Sequence, residues 1–200
     1  HTGTCLANSF RADWSTYHTF FMDPETGMPD HGVTCQGYKD DSSWARGQAW
    51  AAYGLALSYR HTGKPLIVGA FDRVTDYYLS RLPSDLVPYW DLVFGEGSLE
   101  PRDSSSAAIV SCGLLEMADL VERADPEGAA AYRTVARRML KSLVDAYSVR
   151  DPAVSNGQLL HGTYSKKSPY NTCTEEGVDE CVAWGDYYYM EALTRALGTW

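Results

Sequence analysis

Residues able to do chemistry are most concentrated between Gln36 and Trp50. Arg46 falls in the first turn of a predicted helix, where the helix dipole disfavours a cation by about a few tenths of a kcal/mol. A nearby anion would compensate, and a guanidinium beside a helix N-terminus is a suitable clamp for a carboxylate. Trp50 follows one turn later on the same face and offers an aromatic plane. A carboxylated sugar ring would satisfy both residues, whereas the structural alternative pairs Arg46 with Asp40 or Asp41 and buries Trp50 in the core.

Polar residues near other predicted helix ends have both structural and chemical interpretations. Asp41, Ser42 and Ser43 precede the helix of Arg46 and are expected to cap it by accepting hydrogen bonds from its free N–H groups. Asp91 and Asp103 are acidic residues at junctions between loops and helices, which makes them candidates for acid or base catalysis. For Asp103, capping is the expected role.

Two further residues stand apart from these groups. His18 has polar neighbours, and an isolated histidine is more often structural than functional. Asp186 follows Trp184-Gly185 and is expected either to tie loops together or to face a cleft. The chain has no glycine-rich nucleotide loop, HExxH string, nucleophile elbow or Cys/His ligand set, so the sequence indicates neither a metal nor a cofactor.

The elements that must position these residues are predicted to be helices, because apolar residues recur at helical spacing through most of the chain. Their predicted bounds are 44–62, 65–82, 104–124, 128–147 and 182–197, with a possible short strand at 15–21. Short links alternate with long ones. This alternation predicts an all-α fold of helical hairpins side by side, either an α-solenoid or part of an α/α barrel, with the long loops around a central cleft.

Composition narrows the class of protein. Two hundred residues, 44% hydrophobic and 22% charged, predict one folded domain over 1–200. The net charge of −9 argues against a nucleic acid as partner, because phosphate binding requires a basic surface. No apolar run approaches the ~20 residues of a membrane span. Five widely spaced cysteines favour free thiols in a reducing cytoplasm. Six Trp and fourteen Tyr suit either a sugar-stacking surface or an aromatic core, and a homo-oligomer is left open.

Several strings together resemble glycoside hydrolase family 88, the unsaturated glucuronyl hydrolases. They lie at 35–38, 41–50, 89–91, 102–105, 177–180 and 184–193, and Trp-Ala-Arg-Gly-Gln-Ala-Trp at 44–50 is specific to the family. The resemblance covers essentially the whole chain. It implies an (α/α)6 toroid and removal of 4,5-unsaturated glucuronic acid from the non-reducing end of lyase-generated oligosaccharides. The alternatives are the related rhamnogalacturonyl hydrolases, which tend to read Trp-Gly-Arg-Gly-Asn-Gly-Trp there, and an inactive sugar-binding or structural fragment.

The resemblance also implies a mechanism and a set of binding residues. Such enzymes hydrate the C4=C5 vinyl ether: an Asp donates a proton to C4, water adds at C5, and the hemiketal opens, unlike the usual two-carboxylate schemes. His18 and Gln36 would hydrogen-bond the unsaturated sugar. Arg46 would hold its polar or anionic oxygens, and Trp50 would stack against it.

Departures from the family pattern set further expectations. The catalytic Asp pair is expected upstream of His1, so we assign no acid or base here and expect the C-terminal portion of an incomplete toroid. Cys35 replaces the histidine that usually precedes the Gln, which removes a donor. The resemblance also implies that Ser165 and Ser168 bind substrate, because they lie in a loop where some relatives use Ser and Lys to accept sulfated substrates. The segment 155–176 is otherwise expected to be mobile and solvated over the cleft mouth.

Overall fold

The fold consists of six α-helices and one two-stranded antiparallel hairpin, described for residues 1–198 by a computed structural model. In chain order the elements are α1 (Thr2–Asn8), β1 (Thr19–Met22), β2 (Pro29–Val33), α2 (Ala45–Thr62), α3 (Pro65–Ser80), α4 (Ser104–Val121), α5 (Pro126–Ser142) and α6 (Ala183–Ala196). A π-helical turn, Leu143–Tyr147, continues α5. The all-α prediction is confirmed, and all five predicted helices are present with bounds that differ by a few residues.

Helix α4 lies at the centre of the packing, in contact with α2, α5 and α6. An inner row is therefore formed by the helices that follow long loops, α2, α4 and α6. Helices α3 and α5 pack on the outside of this row, as predicted for adjacent helical hairpins. Of the helices in 1–198, α4 alone has the length and apolar composition of a membrane span, which the sequence analysis did not anticipate. It is buried by its neighbours along nearly its whole length, as befits the core helix of a helical assembly.

Local signals at the helix ends explain the short links. Gly63 ends α2 in the left-handed region at φ 61°, a conformation that glycine adopts without steric cost. Asp125 caps α5 by accepting a hydrogen bond from the Gly128 N–H at 2.9 Å, and Pro65 and Pro126 occupy the first turns of α3 and α5. Each outer helix therefore starts directly after its inner partner ends.

Close contact between α2 and α4 sets the separation of the two inner helices that carry the candidate site. Gly113 faces the α2 backbone so closely that a Cβ atom there would lie 3.0 Å from Tyr53 Cα. Near the other end of the contact, Ser106 Oγ donates a hydrogen bond to the Ala45 carbonyl oxygen at 2.9 Å. The N-termini of α2 and α4 consequently lie side by side.

The secondary structure of the first forty residues differs most from the prediction. The predicted strand at 15–21 is only partly right, because β1 covers Thr19–Met22 and pairs with β2, Thr19 opposite Val33. Helix α1 was not predicted. It has seven residues, none of them buried, so it leaves no apolar period long enough to recognise.

Candidate substrate-binding site

Trp44, at the N-cap of α2, is the residue around which the candidate site is built. The centre of its indole ring lies 4.6 Å from the centre of the His18 ring and 4.5 Å from Arg46 Cζ. Its backbone also forms an isolated antiparallel β-bridge with Asp91, in the loop between α3 and α4. Two of the predicted site residues therefore contact one buried aromatic ring, which the sequence analysis did not single out.

The guanidinium of Arg46 is almost completely enclosed, with 3% of the side chain exposed. Nη1 donates to Asp103 Oδ2 and to the Thr163 carbonyl oxygen, both at 2.7 Å. Nη2 donates to the Tyr164 carbonyl oxygen, also at 2.7 Å. The Trp184 ring lies 5.1 Å from Arg46 Cζ, so the cation is held by one anion, two carbonyls and two indoles.

The alternative partners predicted for Arg46 are engaged elsewhere. Asp40 Oδ1 accepts a hydrogen bond from the Thr34 N–H at 2.8 Å, and the exposed carboxylate of Asp41 pairs with Lys39 at 3.0 Å. The predicted ion pair of Arg46 with Asp40 or Asp41 is therefore wrong. Compensation for the helix dipole comes instead from a carboxylate 57 residues away in sequence.

His18 is held in one tautomer by the backbone. Its Nδ1 accepts hydrogen bonds from the N–H groups of Cys35 and Gln36, at 2.9 and 3.0 Å. A ring nitrogen that accepts carries no proton, so the neutral ring carries its proton on Nε2 and donates from there. Burial, followed by the positive charge of Arg46, lowers the pKa of His18. The ring is consequently a fixed neutral donor.

Gln36 and Arg46 meet at the carbonyl oxygen of Tyr164. Gln36 Nε2 donates to this oxygen at 2.9 Å, and Arg46 Nη2 donates to it at 2.7 Å. The Gln36 backbone N–H simultaneously bonds His18. Three of the predicted site residues are thus joined in one hydrogen-bonded chain that runs from His18 through Gln36 and Tyr164 to Arg46.

Trp50 lies one turn beyond Arg46 on α2 and is 37% exposed, so the alternative that buries it in the core is wrong. Its ring meets Tyr188 edge-on at 5.1 Å. Together with His18, Tyr17 and residues of α1, it lines a cavity of about 370 Å³. No Asp or Glu of the described residues lines this cavity, and within 1–198 no three His, Cys, Asp or Glu side chains gather closely enough to hold a metal ion.

Ser165 and Ser168 are buried, with 4% and 5% of each residue exposed, so the expectation of a solvated surface segment is wrong for this part of the loop. Ser165 Oγ donates to the Thr174 carbonyl oxygen, and Ser168 Oγ donates to the Tyr38 carbonyl oxygen. Both hydroxyl protons are therefore used within the protein. The second bond attaches this loop to the segment that follows Gln36.

The expected helix caps have other roles. Neither α2 nor α4 has a side-chain hydrogen bond at its N-cap, so capping by Asp41, Ser42, Ser43 or Asp103 is wrong. Ser42 Oγ instead donates to Asp91 Oδ2 at 2.7 Å. Asp91 is fully buried, and burial raises its pKa while it binds loop backbone and Ser42, so it organises loops rather than facing the cavity.

Gln48 is a positioning residue that sequence reasoning missed. It is fully buried, and its amide makes four hydrogen bonds: Nε2 donates to the carbonyls of Trp14 and Val74, and Oε1 accepts from the Thr16 N–H and from Ser43 Oγ. It thereby fixes the segment that leads to His18. A glutamine inside an otherwise apolar helix face was the available signal.

Asp186 ties loops together, which confirms the first of its two predicted roles. Its Oδ1 accepts hydrogen bonds from the backbone N–H groups of Gln158 and Leu159, both at 2.9 Å. The start of α6 is thereby attached to the loop that leads to Thr163 and Tyr164, the two residues whose carbonyls bind Arg46.

The chain is similar to individual known proteins, whereas no family model matches it. The unsaturated chondroitin disaccharide hydrolase of Streptococcus pyogenes serotype M1 is 48% identical over 190 residues, which are 95% of this chain and 46% of the relative. The unsaturated glucuronyl hydrolase of Bacillus sp. strain GL1 is 40% identical over 185 residues, 92% of this chain and 47% of the relative. The chain spans about half the length of the curated relatives it matches.

Solved structures give the same result. The crystal structure of unsaturated glucuronyl hydrolase from Streptococcus agalactiae matches with a TM-score of 0.90 and 46% identity, covering 100% of this chain and 49% of that one. The Bacillus sp. GL1 enzyme matches with a TM-score of 0.88 and 38% identity, covering 98% and 50%. The helical hairpins match those of the α/α toroids of unsaturated glucuronyl hydrolases, and the chain is similar to these proteins over nearly its whole length and about half of theirs.

Proposed function

We propose that the protein carrying this chain removes 4,5-unsaturated glucuronic acid from the non-reducing end of lyase-generated oligosaccharides, and that 1–200 is the C-terminal portion of its toroid. Relatives named unsaturated chondroitin disaccharide hydrolase and unsaturated glucuronyl hydrolase support this activity. So does a related structure from Streptococcus agalactiae, described as complexed with dGlcA-GalNAc6S, which matches with a TM-score of 0.82 and 47% identity.

The observation that carries the proposal is the hydrogen-bonded chain of His18, Gln36 and Arg46 beside the cavity that Trp50 lines. Each member retains a group suited to a sugar. His18 offers its Nε2–H as a neutral donor, and Gln36 Oε1 accepts no hydrogen bond from the described residues. Trp50 presents a half-exposed ring against which a pyranose can stack.

Arg46 contributes hydrogen bonds rather than a net charge, because its ion pair with Asp103 already neutralises it. A guanidinium has five N–H donors, and those of Nη1 and one of Nη2 bind the protein. Within residues 1–198 the Nε–H has no protein acceptor, and neither has the second Nη2 hydrogen. We propose that these two donors bind ring or carboxylate oxygens of the sugar, although Arg46 itself does not line the cavity.

The reaction proposed is hydration of the C4=C5 vinyl ether. A proton adds to C4 and the hydroxide of a water molecule adds to C5, after which the resulting hemiketal opens and releases the adjoining sugar. We propose that the Asp pair responsible lies outside these 200 residues. In support, no described carboxylate lines the cavity, while Asp91 and Asp103 are buried and bound to loop backbone and to Arg46.

Ser165 and Ser168 contribute to the proposed site through the loop they close, whose Tyr164 carbonyl binds Gln36 and Arg46. A sulfate group accepts but cannot donate hydrogen bonds, and both hydroxyl protons are already used. We therefore propose that sulfate tolerance does not depend on them.

The five cysteines are all free thiols. They support the further proposal that the protein is located in a reducing cytoplasm.

The test uses protein expressed from its complete gene, incubated with an unsaturated chondroitin disaccharide, its saturated counterpart and an unsaturated rhamnogalacturonan disaccharide. We expect loss of the ultraviolet absorbance of the double bond and release of the amino sugar from the first substrate only. Preference for the rhamnogalacturonan product would favour the alternative enzyme class, and absence of turnover on all three would refute the proposed activity. Turnover by 1–200 alone would refute the external Asp pair.

A further inference from the structure

Asp103 is engaged through both carboxylate oxygens, and no part of it is exposed. Oδ2 accepts from Arg46 Nη1 at 2.7 Å, while Oδ1 accepts from Ser105 Oγ and, at 3.5 Å, from the Thr163 N–H. It precedes α4 without capping it. The carboxylate therefore binds side chains and the 163 segment rather than the free backbone N–H groups of α4.

The segment that Arg46 holds is also attached to the start of α4. The Ser104 N–H donates to the His161 carbonyl, and Thr163 Oγ1 donates to the Arg102 carbonyl at 2.8 Å. Asp103 thus lies where α4, the 161–164 segment and Arg46 meet. Movement of this carboxylate would shift Arg46, and with it the Tyr164 carbonyl that Gln36 shares.

We propose that Asp103 is a positioning residue: it fixes the guanidinium of Arg46 and, through it, the Tyr164 carbonyl that Gln36 shares in the candidate sugar site. This inference rests on the proposed function, because it assigns Asp103 a part in sugar binding. Neither Asp103 nor Arg46 lines the cavity, so Asp103 acts through the bonds that Arg46 makes to the Thr163 and Tyr164 carbonyls. Without its charge, a nearly buried guanidinium would keep its two carbonyl partners but lose the anion that selects one orientation.

Glu116 provides a matched control on the same helix. It is 1% exposed and pairs with Arg195 at 2.7 Å and also with Arg60, so its removal also breaks a buried ion pair of α4. Thirteen residues of helix separate it from Asp103, about 20 Å along the axis. Destabilisation alone would affect Asp103→Asn and Glu116→Gln alike.

The experiment measures kcat and KM on the unsaturated chondroitin disaccharide for protein from the complete gene and for its D103N, E116Q, R46A and R46A/D103N variants. Asn keeps an acceptor for Arg46 and its amide can donate to Ser105, so the change is chiefly one of charge. We expect D103N to lower kcat/KM about tenfold, the size of one lost charge-assisted hydrogen bond, mainly through KM, and E116Q to leave it within about twofold. In the R46A background D103N should change kcat/KM by less than about twofold.

A second measurement does not require turnover. In spectra of protein labelled with 15N-arginine, Arg46 should give separate Nη proton signals because its rotation is restricted. D103N should merge them while E116Q leaves them unchanged. If the wild-type protein is inactive, the proposed function fails and this spectrum still decides the positioning role. Should D103N fail to fold, Ser105→Ala, which removes the hydroxyl donor to Asp103 and a long 3.5 Å contact with Arg46 Nη1 but leaves the ion pair, should give a smaller change in the same direction.

Three results would overturn the inference. D103N could retain wild-type KM and unchanged Arg46 signals, which would make the pair purely structural. E116Q could reproduce the loss seen in D103N, which would attribute it to stability. D103N could lower kcat/KM further in the R46A background, which would mean that Asp103 acts on the substrate without Arg46.

Discussion

Replacement of Gly113 by alanine tests the contact between α2 and α4 that holds the candidate site together. The new Cβ would lie 3.0 Å from Tyr53 Cα, 3.2 Å from Tyr53 N and 3.4 Å from the Ala52 carbonyl carbon. All three are backbone atoms of a helix, which cannot rotate away as a side chain can. Helix α4 cannot retreat either, because α5 and α6 pack against its other sides.

The expected cost combines two opposing effects. Forcing an extra carbon into a packed core costs about 1–3 kcal/mol. Alanine in place of glycine inside a helix returns about 0.5–1 kcal/mol by restricting the unfolded chain. At the midpoints of these ranges the net loss for Gly113→Ala is about 1 kcal/mol, which lowers Tm by roughly 2–4 °C for a domain of this size.

Gly69 in α3 is the matched control, because no atom lies within 4 Å of a Cβ built there. Gly69→Ala should therefore show only the favourable effect and raise Tm by roughly 1–4 °C. Thermal unfolding of both variants, followed by circular dichroism, gives shifts of opposite sign if the reasoning holds. A rise in Tm for both variants would show that α2 and α4 can separate at no cost.

Three further predictions concern the site. His18 has a pKa lowered in the folded protein, so its contribution to stability is complete above about pH 6.5 and is lost as the pH falls towards the lowered value. The variant His18→Asn should therefore reduce the change in Tm between pH 7 and pH 5. An unchanged dependence of Tm on pH would contradict this. Gln48→Met removes four hydrogen bonds, three of them buried, and should cost about 3–5 kcal/mol in denaturant titrations, whereas a loss below about 1 kcal/mol would show that water replaces the amide. The double variant Lys166→Glu/Lys167→Glu should change kcat/KM equally for sulfated and unsulfated disaccharides, because both ammonium groups form hydrogen bonds within their own loop. A loss confined to the sulfated disaccharide would show that these lysines bind the sulfate group.

Local patterns in the sequence were sufficient to predict the five longer helices. Apolar spacing located α2 to α6, and Gly63, Pro65 and Pro126 marked the short links because their effects act within one turn. The same local reasoning failed where side chains had distant partners. Ser42 and Ser43 were read as caps because Ser is favoured at helix starts, yet buried acceptors bind both hydroxyls.

The ion pair of Arg46 shows why the site was only partly predictable. Sequence alone indicated that the cation needs an anion, since its position opposes the helix dipole. It did not identify which anion, because Asp103 becomes a neighbour only when α2 and α4 pack side by side. Residues near in sequence, Asp40 and Asp41, were the natural candidates and proved to be engaged elsewhere.

The side chains that hold the site share one physical task. Long loops crossing the end of a helical bundle contain backbone groups that no helix or sheet satisfies, and such groups are costly when buried. Arg46, Gln48, Asp91 and Asp186 each reach from their own segment to backbone groups of another. Because each bond spans two segments, the loops acquire their positions only when the inner helices have packed. Precise placement of His18 and Gln36 is therefore a consequence of the tertiary fold, and disturbance of the α2–α4 contact at Gly113 should reach the site.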